Sequence, residues 1–457
     1  MARDTFYTAV DMGTNKVASI VARVGTEGEL KILGTGTVRS QGMHKGRIES
    51  IDEAQVAVRT SLEEAQRYIG HGVVAGVYVG VSGTHITCLN TKDTVDHLGD
   101  VDDINNQLLD KLIQSSFPQV DRTQEVVHII PIGYDVDGMS GVRNPVGLHG
   151  RQVQVEAHVV LGDAATLKNT VKAVEANRVS VKSLVLQSLA SAEATLTGDE
   201  REMGAVLADI GGGTTDVIIY RQGNPWYSAI IPVGGNQLTR DLSVAMRTPF
   251  YLAEELKLKW GHAMPEMVKV DEEVVIPSFE GQPRRIVQRR DLSEPLQARL
   301  AELLKQILLK VRQAGLRQFP AGGLVLTGGC AELPGFRDLA QKTLGGPVRI
   351  GYPRGIAGLP TQLQKPSYSA GVGLLLWGIK HQGEKRPYRN GERTLWGNKP
   401  LMRWFKRSPK SNKAKVEVKQ IAEVNRQDPA FGRSLAILSK AFGKPAPDTG
   451  GPRMPEA

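Results

Sequence analysis

The sequence predicts an α/β protein made of two duplicated lobes with a cleft between them, a small inserted α+β subdomain and a flexible C-terminal tail. Three observations predict it. A strand, an Asp, a glycine-containing turn with threonine and a second strand follow one another at residues 8–17 and again at 205–220. Recurrence of such an element about two hundred residues on marks an internal duplication. Stretches rich in β-branched residues alternate with stretches of helical apolar spacing through both halves. Finally, 457 residues exceed what one compact core holds, so at least two lobes are required.

In order along the chain, residues 7–10 and 17–24 read as strands flanking a tight turn at 11–16, and a third strand, 30–38, follows the turn at 25–28. Residues 52–68 carry Val56, Leu62, Ala65 and Ile69 at helical spacing, with Ser50 as a cap. A strand at 77–82 precedes a change of character over 84–160, where an Asp-rich helical stretch near 104–113 and strands near 126–130 and 153–160 form the inserted subdomain. Helix resumes at 167–176 and 186–196. After the second Asp-x-Gly turn come a strand at 216–220, a strongly amphipathic helix at 292–318 and a strand at 324–326 entering Thr327, Gly328 and Gly329. The resulting division is 1–83 and 161–203 for the first lobe, with the insert 84–160 between them. The second lobe is 204–245, a subdomain 246–320, and 321–380 with a connecting helix; 381–457 is the tail.

The composition, 40% hydrophobic and 23% charged, is that of an ordinary globular chain. Two cysteines, Cys88 and Cys330, exclude a disulfide scaffold or a multi-cysteine metal site and suit a reducing compartment. No charged start followed by an apolar run opens the sequence, so no signal peptide is expected. The longest apolar stretch, 372–379, is too short to span a bilayer. The net charge of +9 hints at nucleic acid until it is divided: residues 381–457 hold 17 Lys+Arg against 7 Asp+Glu, which leaves the body near neutral. A neutral body argues against nucleic acid, and a basic tail argues for an anionic surface reached by a tether.

A turn between two strands points consecutive backbone N–H groups at one spot, and glycine lets the backbone approach an anion closely. Two such turns facing each other would grip a polyphosphate from both sides. Asp11 and Asp209, each ending a strand, would face the cleft and hold Mg²⁺ directly or through water.

These motifs resemble the actin-like ATPase superfamily. The first phosphate loop would be Asp11, Gly13, Thr14, Asn15 and Lys16. The second would be Asp209, Gly211, Gly212, Gly213, Thr214 and Thr215, with Gly328 and Gly329 in the adenosine motif. The connecting helices match at 187–192 and 369–373. Within that superfamily, residues 5–380 resemble the bacterial FtsA cell-division family. The marks are Ile129, Ile130 and Pro131 with Tyr134 and Asp137; Asn144, Pro145, Val146, Gly147 and Leu148; Pro232 to Asn236; and Ala253 to Lys257.

The resemblance implies ATP bound between the lobes. Glu254 and Lys257, one helical turn apart, would meet adenine or ribose, the alternative being a surface ion pair. Gly234 and Gly235 would approach ribose or phosphates. Gln187 falls near the place where some relatives orient the attacking water, or simply starts a helix. No second carboxylate stands out as a general base, so hydrolysis is expected to be slow and nucleotide to control assembly. Arg284, Arg285, Arg289 and Arg290, ahead of the long helix, lie in the region that in this family receives the acidic C-terminal peptide of FtsZ, the alternative being a solvated face.

Two tail segments read as cationic amphipathic helices for an anionic membrane, or as helices docking on the body. One presents Leu401, Met402, Trp404 and Phe405 opposite Lys406 and Arg407. The other presents Phe431, Leu435, Leu438 and Phe442. The resemblance therefore implies a peripheral scaffold that polymerises with its own kind through the insert, contacts other division proteins and tethers the FtsZ ring to the cytoplasmic face of the membrane at the division site. A type IV pilus ATPase of the PilM sort is the alternative on the same fold. A sugar or acyl kinase would need an acidic base in a second pocket that the sequence does not offer.

Overall fold

The computed structural model describes residues 5–26, 28–69, 74–96, 103–116, 118, 120–276, 284–381, 388–389 and 392–393. The tail segments carrying Leu401 to Arg407 and Phe431 to Phe442 lie outside the described residues.

Strands β1 (Thr5–Met12) and β2 (Lys16–Val24) form an antiparallel hairpin, and β3 (Leu30–Arg39) adds antiparallel to β2. A short hairpin, β4 (Met43–His44) with β5 (Arg47–Ile48), leads to α1 (Ile51–Gln66), capped by the Ser50 hydroxyl accepting from Glu53 N at 3.4 Å. β6 (Gly76–Val81) lies parallel to β1. The insert follows: β7 (Ile86–Asp96), α2 (Asn106–Ser115), β8 (Gln124–Val136), β9 (Met139–Val142) and β10 (Gln152–Asp163), forming an antiparallel sheet of order β7-β10-β8-β9. Its own core gathers Ile104, Leu109, Leu112, Tyr134, Val136, Val153 and Val155. α3 (Ala164–Glu175) then returns the chain to β11 (Ser180–Leu186), parallel to β6.

α4 (Gln187–Thr195) and α5 (Gly198–Met203) cross to the second lobe, where β12 (Ala205–Ile210), β13 (Thr215–Arg221) and β14 (Asn224–Ile231) repeat the antiparallel meander. α6 (Gly235–Met246), α7 (Phe250–Trp260), β15 (Glu273–Ile276), β16 (Arg285–Gln288) and α8 (Arg289–Gln313) form the outer part of this lobe. β17 (Leu324–Thr327), α9 (Phe336–Leu344) and β18 (Val348–Ile350) complete the sheet, and α10 (Ser369–Lys380) follows. The two large sheets are β3-β2-β1-β6-β11 and β14-β13-β12-β17-β18. Strand for strand they share order and direction: three antiparallel strands, then two parallel ones beside the first. The duplication expected from two turns therefore extends to whole sheets. Their central strands are buried on both faces, which is why they read as Val, Ile and Ala runs without alternation.

α4 and α10 cross between the lobes at very short range. A Cβ on Gly373 would lie 1.8 Å from the Ala190 carbonyl oxygen, so only glycine admits the crossing. α4 supports it with small buried residues, Ser188, Ala190, Ser191, Ala192 and Ala194. Ion pairs fasten its end: Glu193 meets Arg201 at 2.6 Å and Lys380 at 2.6 Å.

Several expected boundaries move. Val56 is exposed; the inward stripe of α1 is Ala54, Ala57, Val58, Ser61, Leu62 and Ala65. Small residues face inward because Gly34 and Gly36 of β3 bring the strand against the helix backbone, where their Cβ atoms would meet the Ala65 and Ser61 carbonyls at 2.0 and 1.9 Å. The long helix spans Arg289–Gln313 rather than 292–318, its end marked by Gly315 at φ 83°. Arg289 and Arg290 are thus its first turn rather than a segment before it. β4, β5, β7, β9, β11, β14, β15, β16 and β18 have no counterpart among the expected strands. β7 is largely polar and half-exposed, β9 is only four mostly exposed residues, and the apolar end of β11 merges with the helical pattern of α4.

Gly373→Val should destabilise the protein by about 3 kcal/mol or more, because the added side chain overpacks the crossing against backbone. Gly133→Ala, whose Cβ meets nothing within 4 Å, should stay within about 0.5 kcal/mol of the parent in urea unfolding.

Candidate functional site

The β1–β2 and β12–β13 turns face each other across a cavity of about 530 Å³. Each closes with the same hydrogen bond, Gly13 N–H donating to Lys16 O and Gly211 N–H to Thr214 O, both at 2.9 Å. The turns touch: a Cβ on Gly212 would lie 2.6 Å from Asn15 Cγ, and one on Gly213 would lie 2.6 Å from Thr14 Oγ1. Asp11, Gly13, Thr14, Asn15, Lys16, Gln187, Asp209, Gly211, Gly212, Thr214, Gly235, Glu254, Lys257, Gly328 and Gly329 all line the cavity.

Three expected residues stand behind its wall instead. Thr215 is fully buried and donates to Val233 O at 2.8 Å. Gly213 packs on Thr14 and Lys45, and Gly234 lies over the Gly211 and Gly212 carbonyls. They shape the loops and do not face the cavity.

Charge inside the cleft is unbalanced. Asp11 is buried; burial raises its carboxyl above the ordinary range, while Lys16 and a 2.7 Å hydrogen bond from Gln187 Nε2 pull it back. Asp209 is pushed up to about 6 by burial, held back by a short Ser191 hydroxyl bond and raised further by Asp11. Asp216, which opposes Asp209 in the hairpin register, is pushed up to about 7 by burial despite the Ser82 hydroxyl 2.6 and 2.7 Å from its oxygens. Lys16 offsets Asp11 and Asp209, and burial lowers its own pKa. Its ammonium donates to Ser367 O at 2.5 Å and lies 3.4 Å above the Tyr368 ring.

Two carboxylates crowded by one lysine fit a divalent cation that would replace the water burial removes. Among the described residues, no group of three or more His, Cys, Asp or Glu is arranged as a cage. An ion held by Asp11 and Asp209 would therefore complete its shell with water and ligand oxygens, the usual habit of Mg²⁺.

On the far wall, Lys257 is buried and bonded to Glu254 at 2.7 Å, Thr239 Oγ1 at 2.8 Å and Gly235 O at 3.2 Å. The pair is a fixed polar corner of the cavity rather than a surface ion pair. Beside it, Leu258, Cys330, Leu333 and Pro334 form an apolar slot; burial pushes the Cys330 thiol up to about 11, so it is an inert wall.

Sequence reading missed Ser82, Asp216, Glu332, Ser367 and Tyr368, all at the cavity. Asp216 carried a signal, since it directly follows the Gly-Gly-Gly-Thr-Thr turn. The others arrive from distant segments.

One of the four arginines departs from the others. Arg289 turns inward, pairing with Glu272 at 2.9 Å and donating to Trp260 O at 2.8 Å. Arg284, Arg285 and Arg290 are exposed, and Arg285 also reaches the Met246 carbonyl. Next to them Val275 and Ile286, opposite each other on β15 and β16, are also exposed.

A family model described as "Cell division protein FtsA" matches residues 206–373, and one described as "SHS2 domain inserted in FTSA" matches residues 83–161. The cell division protein FtsA of Escherichia coli strain K12 is 36% identical over 391 residues, covering 84% of this chain and 91% of that protein. That of Pseudomonas aeruginosa is 34% identical over 378 residues, covering 82% and 89%. Among solved structures, a PilM–PilN type IV pilus biogenesis complex superposes with a TM-score of 0.60 at 15% identity, over 82% of this chain and 98% of that one. The pilus-type alternative thus shares the architecture alone. Two duplicated sheets around a cleft, an inserted sheet at its family's position and identity above one third across most of both chains lead to one assignment: the chain belongs to the FtsA family of cell division proteins, with the actin-like ATPase fold.

Proposed function

We propose that this chain is an ATP-binding scaffold that assembles with its own kind and joins FtsZ to the cytoplasmic face of the membrane at the division site. The observation that carries the nucleotide reading is the convergence of two Asp-x-Gly hairpins on one cavity. Their N–H groups suit a polyphosphate, the Lys257–Glu254 corner suits a ribose, and the slot at Leu258, Leu333 and Pro334 suits a base. Mg²⁺ on Asp11 and Asp209 would neutralise phosphate charge. Gln187, oriented by Asp11, would hold a water in the cleft; with that water facing carboxylates and no imidazole, turnover is expected to be slow and binding to be the useful event.

For FtsZ, exposed Arg284 and Arg290 beside Val275 and Ile286 offer the mixed basic and apolar face that an extended acidic peptide requires. No helix of the described residues is long and apolar enough to cross a membrane. Membrane attachment is assigned to the tail segments at 401–407 and 431–442, whose apolar and basic residues separate on a helical wheel.

Asp209→Ala and Lys257→Ala should each weaken ATP·Mg²⁺ binding about 10–100-fold in calorimetric titration, in line with a lost charge-assisted contact. Unchanged affinity in both would sink the nucleotide assignment.

A pH effect follows from Asp209 and Asp216, which titrate at about 6 and about 7 in the fold against an ordinary 3.8. With folded values raised, the native chain keeps protons that the unfolded chain has released. Stability should fall as pH climbs from about 4 to about 7, each displaced unit being worth about 1.4 kcal/mol. In melts without ligand, Asp216→Asn should flatten that fall, and ATP with Mg²⁺ should restore the parent at pH 8 more than at pH 4. A parent equally stable at pH 5 and pH 8 without ligand would contradict this.

Sedimentation with anionic vesicles tests the tether. The full chain should carry FtsZ down, and removal of residues 396–457 should abolish co-sedimentation. Arg284→Glu/Arg290→Glu should keep vesicle binding while losing FtsZ. Vesicle binding that survives truncation would move the anchor elsewhere.

A further inference from the structure

β14 is the outermost strand of the second lobe's sheet, and an edge strand exposes backbone groups that need cover. Its cover comes from the insert, which belongs by chain connection to the first lobe. The contacts fall on alternate residues of β14. Asn224 Nδ2 donates to Ile132 O of β8 at 2.7 Å, Trp226 O accepts from Asn90 Nδ2 of β7 at 3.0 Å, and Ser228 Oγ meets His158 Nε2 of β10 at 3.0 Å. Within the insert, His158 and Asn90 are directly opposite across the β10–β7 ladder, and His158 Nδ1 lies 2.8 Å from Asn90 Oδ1.

These bonds have a single self-consistent direction. Asn90 spends its amide N–H on the Trp226 carbonyl, so its oxygen faces the imidazole and the proton must sit on His158 Nδ1. Nε2 then has only a lone pair and accepts from the Ser228 hydroxyl. His158 is 1% exposed and Ser228 4% exposed. Burial holds the imidazole down at about 4, so it stays neutral in this tautomer. A buried relay of this kind is satisfied at one relative position only. A slide of an ångström would leave a buried nitrogen and hydroxyl without partners, whereas an apolar contact would tolerate it.

β14 also leads back to the cleft, because Ser228 pairs with Ile218 of β13, three residues beyond the Thr215 that ends the second Asp-x-Gly turn. We propose that the Asn90–His158–Ser228 relay is an inter-lobe clasp: it sets the angle between the two lobes and locks the insert's orientation to the sheet that carries the second turn. The exposed outer edge of the insert, around Met139 on β9, then follows the second lobe, and whatever opens or closes the cleft is transmitted to it.

The test uses spin labels on the full chain at three exposed positions, Tyr68→Cys in the first lobe, Leu309→Cys in the second and Met139→Cys in the insert, with Cys88 and Cys330 replaced by serine. Pulsed dipolar spectroscopy then reads the 68–309 and 139–309 distance distributions without added nucleotide, so the outcome is independent of the nucleotide assignment. Ser228→Ala and His158→Leu should make both distributions about twice as broad, as expected when a local opening is released. Arg143→Ala, which removes an exposed insert-to-α5 ion pair with Glu202, should leave both unchanged. Distributions of parental width in Ser228→Ala would overturn the clasp, and so would equal broadening by Arg143→Ala. If His158→Leu does not fold, Ser228→Ala, which deletes one oxygen, decides alone.

Discussion

Three carboxylates, Asp11, Asp209 and Asp216, sit in one cleft with Lys16 to offset two of them, and the rest of the molecule is arranged around that excess of negative charge. Taking carboxylates out of water is costly unless each finds donors or a cation. The protein supplies donors from every side: Gln187 to Asp11, Ser191 to Asp209, and Ser82 with Thr214 to Asp216. Gln187 and Ser191 both come from α4, Thr214 from the second turn, and Ser82 from the lobe opposite Asp216. The carboxylates therefore hold the lobes together through hydroxyls while leaving a residual charge deficit. A ligand that brought cations would relieve it. Affinity for such a ligand and the cost of its absence have the same physical origin.

Glycine makes this geometry possible where segments meet closely. At the two turns a Cβ on Gly212 or Gly213 would run into the Asn15 and Thr14 side chains, whereas at the α4–α10 crossing behind them one on Gly373 would run into the Ala190 backbone. The Gly373 contact is rigid because the atoms it meets are backbone and cannot rotate away. Further out, at the Lys257–Glu254 corner and the apolar slot, side chains form the wall.

The parts of the site legible in the sequence are those carried by one continuous stretch. Asp11 to Lys16 and Asp209 to Thr214 could be read because strand, turn and glycine all lie within ten residues, and the repeat of the pattern made chance glycine an inadequate account. Glu254 with Lys257 could be read because helical spacing fixes their common face. Ser82, Ser367 and Tyr368 could not, since what brings them in is the pairing of β6 with β1 and the loop before α10, contacts between segments far apart in the chain. Arg289 shows the opposite case. A run of like charges was read as one face, but the helix begins at Arg289, and that turn of backbone sends its side chain in toward Glu272 while Arg290 points out. Thr215 and Gly234 were legible as members of the motif but not as to which side of the wall they occupy.

The lobes are equal in topology and unequal in what their crossovers carry. Between β17 and β18 the chain makes one helix, α9; between β6 and β11 it makes the whole insert and then α3. A crossover between parallel strands is where a long excursion disturbs the sheet least, because its two ends are already held by the ladder. Here the excursion leaves directly after Ser82, the residue bonded to Asp216 at the cleft floor, and it returns through β10, which carries His158 to the edge of the other lobe. The insert is thus rooted beside the buried carboxylates and fastened to β14. A motion that separates Ser82 from Asp216 has to act on both points. The asymmetry between the lobes is what gives a symmetric pair of sheets an outward-facing part tied to its cleft.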